Sequence, residues 1–135
     1  MRDALDREVV IKHFLSSNRF NDAEAFALTI EPEWEQAEPL AYIARAAWKA
    51  HDPERAWRVW STAAEVAKRG ERSESTQDSL DSSSVLWEIA ENRAVSGDIE
   101  QARYLALTIQ NEGKKVRAIE CVEAIASGAM GSFEF

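Results

Sequence analysis

Hydrophobic and small residues recur along this chain at the spacing of a helix face. In the clearest case, Leu40, Ile43, Ala44 and Ala47 follow the spacing i, i+3, i+4, i+7, which places all four on one side of an α-helix. Similar patterns occur along most of the chain, and we predict helices over residues 3–17, 20–31, 35–50, 53–69, 82–96, 98–112 and 114–127. The predicted fold class is therefore all-α.

An internal repeat groups these helices into pairs. The segment Ala27–Ile30 recurs as Ala106–Ile109, at an offset of 79 residues. A second offset, of 46 residues, places Asp52 on Asp98. Because the two offsets differ by 33, successive units are 33, 46 and 33 residues apart, and one connection carries about 13 extra residues.

Short polar turns join the two predicted helices of a unit. Asp52 and Asp98 are suited to cap the N-terminus of the helix that follows each turn, and the proline after Asp52 suits the first helical position. Gly97 is suited to the left-handed backbone conformation that ends a helix, whereas His51 occupies the corresponding turn position one unit earlier. We expect His51 to be a polar turn residue.

The repeat resembles the tetratricopeptide repeat family. The resemblance rests on Leu86, Ile89, Ala90, the Gly97-Asp98 turn and Ala102. It implies a right-handed superhelical stack of antiparallel helix hairpins of about seven helices, forming one domain over residues 1–127. The implied units are about 3–31, 35–69 and 82–112, followed by a C-terminal capping helix over 114–127 with a polar outer face.

Two segments are predicted to lie outside the helices. Residues 70–81 are rich in serine and acidic residues and contain one apolar residue, Leu80, so we expect a flexible loop there. Gly128-Ala129-Met130-Gly131-Ser132 is similar to a linker left by a cloning vector. We expect residues 128–135 to form a flexible tail, either native or appended.

Charge and chemistry narrow the possible functions. The chain has 16 Lys and Arg against 24 Asp and Glu, a net charge of −8, which argues against nucleic acid and anionic membranes as partners. With a lone Cys121 and no secretory signal, a cytoplasmic location is the default. His13, His51 and Cys121 form no recognisable catalytic or metal-binding motif, so we expect no enzyme activity and no metal or other cofactor.

The family resemblance implies that the first helix of each unit lines a concave groove that receives a peptide or a partner helix. Lys12, Arg45 and Lys49 would form a cationic strip there, and Trp48 and Trp87 either line the groove or pack between helices. The full set of predicted groove residues is Lys12, Arg45, Trp48, Lys49, Trp87, Glu91 and Arg117.

The predicted function is a non-enzymatic protein–protein interaction module that binds a protein or peptide partner in this groove. The alternative is a structural subunit that assembles with other copies, or a fragment of a larger protein, because the ends of a short repeat array can stack on one another. Homo-oligomerisation therefore stays open at this stage.

Overall fold

The computed structural model describes residues 4–73 and 75–128, and the side chains of this part of the chain from Arg7 onward. Within these ranges the chain is all-helical and contains no strand, which confirms the predicted fold class. The elements are α1 (Ala4–Ser16), α2 (Phe20–Ala27), a 3-10 helix (Glu33–Gln36), α3 (Ala37–Lys49), α4 (Pro53–Glu71), α5 (Thr76–Val95), α6 (Ile99–Thr108) and α7 (Glu112–Ala126).

Small side chains form much of the core, as the repeat predicts. Ala44, Ala56, Ala90 and Ala102 are all fully buried. The absence of large side chains at these positions lets the helix backbones approach one another, and the single large indole of Trp60 is also fully buried among them.

The four odd-numbered helices end in the same way. Asn18, His51, Gly97 and Gly128 follow α1, α3, α5 and α7, with positive φ angles of 61°, 65°, 96° and 86°. In the first three turns, the amide of the next residue donates to the carbonyl oxygen five residues before it, over 2.8–2.9 Å. This is the Schellman motif, and it confirms that His51 and Gly97 are turn residues.

The predicted helix caps are also confirmed. The Asp52 carboxylate accepts a hydrogen bond from the Arg55 amide over 3.3 Å, and the Asp98 carboxylate accepts one from the Gln101 amide over 3.4 Å. Each bond satisfies an amide that would otherwise lack a partner in the first turn of α4 or α6.

The prediction of a flexible loop over residues 70–81 is wrong. Helix α4 continues to Glu71 and α5 begins at Thr76, where the Ser75 hydroxyl caps the Asp78 amide over 3.3 Å. The buried Glu71 carboxylate accepts hydrogen bonds from the Ser83 hydroxyl over 2.6 Å and the Gln110 amide over 2.9 Å. The extra residues between repeats therefore lengthen α4 and α5, and the Ser75 cap and the hydrogen bonds to Glu71 help to hold this segment in place.

Gly70 explains how closely the lengthened α4 and α5 approach. A Cβ atom at Gly70 would lie 2.1 Å from the Ser82 Oγ and 2.9 Å from the Trp34 Cβ. Both Gly70 and Ser82 are buried. Ser82 serves here as a small residue that allows close helix packing. Serine is also common in loops, and the sequence pattern alone does not distinguish these two roles.

Other helix ends differ from prediction by a few residues. Helix α2 ends at Ala27 rather than residue 31, because the Gln36 side-chain amide donates to the carbonyl oxygens of Leu28 and Ile30 over 3.1 and 3.0 Å. Similarly, α6 ends at Thr108 and α7 begins at Glu112. The predicted tail lies outside the described residues beyond Gly128.

The helices pack in a regular order. Each helix from α3 to α6 contacts the next one along the chain, and α1, α3, α5 and α7 also contact one another in series. Helix α7 packs on both α5 and α6 through buried Ala118 and Val122, while Arg117, Glu120 and Glu123 lie exposed on its other side. The exposed side of α7 also carries Val116, which is 50% exposed.

Candidate functional site

A cavity of about 560 Å³ opens between α1, the 3-10 helix, α3 and α5. We call it the α1–α3–α5 cavity. Its volume is typical of small-molecule and peptide side-chain sites. Its lining residues combine charged, aromatic and apolar side chains: Arg7, Glu8, Ile11, Trp34, Glu35, Glu38, Pro39, Tyr42, Arg45, Asp81, Ser82, Ser84, Val85 and Glu88.

Helical periodicity places the lining residues of each helix on one face of that helix. On α3, Glu38, Tyr42 and Arg45 follow the spacing i, i+4, i+7 and share one face. Helix α5 contributes Asp81 and Glu88 with the same overall separation of seven residues. Two helix faces with matching periodicity therefore face each other across the cavity, and Asp81, the first α5 residue that lines it, comes from the segment predicted to be a loop.

Carboxylates outnumber cations in the cavity lining. Five acidic side chains, Glu8, Glu35, Glu38, Asp81 and Glu88, face two arginines, Arg7 and Arg45.

Both arginines already have carboxylate partners. Arg7 pairs with Glu35 over 3.3 Å, and Arg45 pairs with Glu88 over 3.4 Å. Glu38 and Asp81 have no ion-pair partner within the described part of the chain. Among the described residues, the lining of the cavity therefore has an excess of negative charge.

Glu88 shows the effect of this environment most clearly. Burial raises the pKa of its carboxyl group above the ordinary value, and the neighbouring Glu38 and Glu91 carboxylates raise the pKa further. Arg45 opposes both effects but does not outweigh them. The protein alone therefore stabilises the negative charge of Glu88 less well than water does.

The predicted cationic strip does not form as a free surface. Arg45 lines the cavity but pairs with Glu88, and Lys12 lies on the exposed side of α1, where it pairs with Glu8 over 2.8 Å. Lys49 and Arg117 are exposed and do not line the cavity. Of the four predicted cations, Arg45 alone reaches it.

Trp48 packs between helices, which was one of the two interpretations left open for it. Its ring centroid lies 6.2 Å from that of Trp57 and 6.4 Å from that of Trp60, both on α4. This tilted cluster joins α3 to α4 through aromatic contact. Trp87 is likewise half-buried against the core and does not line the cavity.

Glu91 is engaged within the protein by Cys121. The Cys121 thiol donates to the Glu91 carboxylate over 2.9 Å, which links α5 to α7. Burial, followed by the adjacent Glu91 carboxylate, raises the pKa of the Cys121 thiol to about 12. A thiol with this pKa is protonated near neutral pH and is a poor nucleophile.

Sequence reasoning missed most of the residues that build the cavity, including Trp34, Glu38, Tyr42, Asp81 and Glu88. One signal was present, because Glu38, Tyr42 and Arg45 have the spacing of a single helix face. On the opposite wall, Asp81 was assigned to a loop, whereas Glu88 lay in a predicted helix but was not recognised as a neighbour of Arg45. Pairing the two faces required the three-dimensional packing of α3 on α5.

Three further findings concern metal binding, membrane-spanning helices and similarity to known proteins. No group of three or more His, Cys, Asp or Glu residues in the described ranges could hold a metal ion. Within the same ranges, every helix is too short or too polar to cross a lipid bilayer. Comparison with known proteins finds no matching family model, no matching curated protein and no matching solved structure.

Proposed function

We propose that the chain is a divergent member of the tetratricopeptide repeat family, folded as a right-handed superhelical stack of helix hairpins. The support is a repeated backbone feature. The left-handed residues Asn18, His51 and Gly97 are separated by 33 and 46 residues, the same offsets as the sequence repeat. The contacts of α1, α3, α5 and α7 in series match the first-helix layer that such a stack requires.

The proposed function is binding of a protein or peptide segment, without catalysis, in the α1–α3–α5 cavity. One observation carries the proposal: the cavity lies on the layer of first helices, and its wall includes Tyr42, an aromatic residue with 38% of its surface exposed. Aromatic side chains that are held in place by a helix but remain accessible contribute strongly to protein interfaces. The mixed apolar and charged lining also resembles the composition of an interface.

Selection from a library of displayed random peptides tests this function. The whole protein is immobilised, the enriched peptides are synthesised, and their affinities are measured by fluorescence anisotropy. We expect Tyr42→Ala to weaken binding by about fivefold or more, since loss of an interface aromatic costs more than about 1 kcal/mol.

Tyr104→Ala is the matched control. Tyr104 is 56% exposed on α6 and does not line the cavity, so its truncation removes the same atoms from another helix surface. We expect the selected peptides to bind this variant with wild-type affinity. Failure to enrich any peptide, or equal effects of the two truncations, would refute the assignment of the cavity as the binding site.

A further inference from the structure

The charge of the α1–α3–α5 cavity indicates what kind of peptide it accepts. After the pairs Arg7–Glu35 and Arg45–Glu88 are formed, Glu38 and Asp81 are left without a cationic partner among the described residues. A ligand carboxylate would add a further negative charge to this surface. A ligand cation would instead complete ion pairs in a partly enclosed site, where charge interactions are screened less than on an open surface.

The uncharged lining residues favour the same ligand. Trp34 and Tyr42 offer aromatic rings, whose faces attract ammonium and guanidinium groups. Ile11, Pro39 and Val85 provide apolar surface that can pack against the methylene groups of a long side chain. Lysine and arginine combine these two properties, because each has an apolar stem and a cationic end.

We infer that the occupant of the α1–α3–α5 cavity is a basic peptide segment that places Lys or Arg side chains beside Glu38, Asp81 and Tyr42. This inference rests on the proposed function and specifies the partner of the same site. A peptide is favoured over a free polyamine because the cavity, at about 560 Å³, is larger than one cationic chain and has apolar walls on α1, α3 and α5. Neighbouring apolar residues of a peptide would fill that remaining surface.

Three short peptides of equal length test the inference. Each has capped ends and alternates leucine with arginine, with citrulline or with glutamate, and each carries one fluorophore. Citrulline keeps the shape of arginine but lacks its charge. We expect the arginine peptide to bind the wild-type protein about tenfold or more tightly than the citrulline peptide, and the glutamate peptide to bind weakest.

A pair of charge-matched double variants separates the cavity from the general acidity of the chain. Glu38→Gln/Asp81→Asn removes from the cavity the two carboxylates that have no ion-pair partner among the described residues. Glu65→Gln/Glu120→Gln removes two exposed carboxylates elsewhere, on α4 and α7. We expect the first variant to weaken binding of the arginine peptide by about tenfold and the second by less than about twofold, in a buffer with about 150 mM salt. Circular dichroism checks that both variants remain folded.

The outcomes distinguish this inference from the proposed function. If the citrulline peptide binds as tightly as the arginine peptide, and both depend on Tyr42, the cavity binds peptides but the inference about charge is wrong. Equal effects of the two double variants would also overturn it. If spermidine displaces the arginine peptide at an equal or lower concentration than unlabelled arginine peptide does, the occupant is a free polyamine and the inference fails. If neither the three peptides nor the library yields Tyr42-dependent binding, the proposed function fails as well.

Discussion

The pair formed by Cys121 and Glu91 leads to a prediction about thiol reactivity. Burial and the Glu91 carboxylate raise the pKa of Cys121 from 9.0 to about 12, which lowers the thiolate fraction at pH 8 by about a thousandfold. We expect native Cys121 to react with Ellman's reagent at least about a hundredfold more slowly than the same cysteine in the unfolded chain. Absorbance measured over time in buffer and in denaturant gives the two rates.

Glu91→Gln tests the contribution of the carboxylate separately from burial. The substitution keeps the size of the side chain but removes the charge that disfavours the thiolate, so the native reaction should become faster. Glu120→Gln, on the exposed side of α7, should leave the rate unchanged. If Glu91→Gln reacts as slowly as wild type, burial alone protects the thiol.

Glu24 connects α2 to α4 and gives a prediction about pH. Burial alone would raise the pKa of Glu24, but hydrogen bonds from Arg58 and Arg55 outweigh it and lower the pKa below 4.5. Because the folded-state pKa lies below the unfolded-state value, this carboxylate stabilises the fold above pH 4.5 and loses its contribution as the pH falls through the folded-state pKa.

We therefore expect Glu24→Gln to lower the free energy of unfolding at pH 7 by roughly 0.5–1 kcal/mol. The difference from wild type should shrink once the pH falls below the folded-state pKa of Glu24. Urea denaturation at several pH values measures both quantities. Glu65→Gln removes an exposed carboxylate near Lys68 and serves as the control, with little expected change. A Glu24→Gln effect that stays constant across this pH range would contradict the ion-pair explanation.

A substitution at Gly70 tests the close packing of α4 against α5. A methyl group at Gly70 would lie 2.1 Å from Ser82 Oγ, 3.0 Å from Ser82 Cβ and 2.9 Å from Trp34 Cβ, so Gly70→Ala requires α4 to shift relative to its neighbours. We expect it to reduce the free energy of unfolding by roughly 1–3 kcal/mol, the usual cost of overpacking. Thermal and urea denaturation provide the measurement.

Gly113→Ala is the matched control for this prediction. Gly113 lies in the first turn of α7, and a Cβ atom there would have the Asn111 Oδ1 as its nearest neighbour, at 3.5 Å, which is an ordinary contact. Alanine also has the higher helix propensity, so this substitution should be neutral or stabilise by up to roughly 1 kcal/mol. Equal effects at the two glycines would show that α4 and α5 do not require this close approach.

At the level of elements, sequence reasoning succeeded where apolar periodicity and capping agree. Helix α3 has a clear apolar face, and Asp52 both ends the turn and caps α4. It failed at the start of α5, where Ser82 and Ser83 occupy buried positions that a hydrophobicity pattern assigns to solvent. Serine is small enough for close helix packing, but its partner on α4 is known only from the folded structure.

At the scale of the whole molecule, the candidate site also depends on contacts between elements that are known only from the folded structure. Sequence reasoning placed Arg45 in the predicted groove, and Arg45 lines the α1–α3–α5 cavity. The same reasoning predicted a cationic surface because each lysine or arginine was considered without its neighbours across the fold. The pairs Arg45–Glu88 and Arg7–Glu35 each join residues of different elements and neutralise both arginines, which leaves the charge of the lining to acidic residues such as Glu38 and Asp81.

The distribution of buried residues predicts unequal stability along the chain. Among the described side chains of α1, Ile11 alone is buried, and α2 contributes Ala23 and Ala27, whereas α3 buries six residues and α4 nine. In a repeat array each unit is stabilised mainly by its neighbours, so the terminal hairpin opens most easily. We expect amide hydrogens of α1 and α2 to exchange about a hundredfold faster than those of α3 and α4, as measured by mass spectrometry of proteolytic fragments.

Helix α7 is the internal control, because it is also terminal but packs on both α5 and α6. Its exchange should therefore be slower than that of α1.

The arginine peptide allows a second comparison. Since Glu8 and Ile11 line the same cavity as Glu88, a peptide bound there would contact both α1 and α5. Binding should slow the exchange of α1 more than that of α7, because ligand contacts stabilise the closed state of the element they touch. Uniform exchange along the chain would show that the hairpins unfold as one unit, and equal protection of α1 and α7 would place the peptide elsewhere.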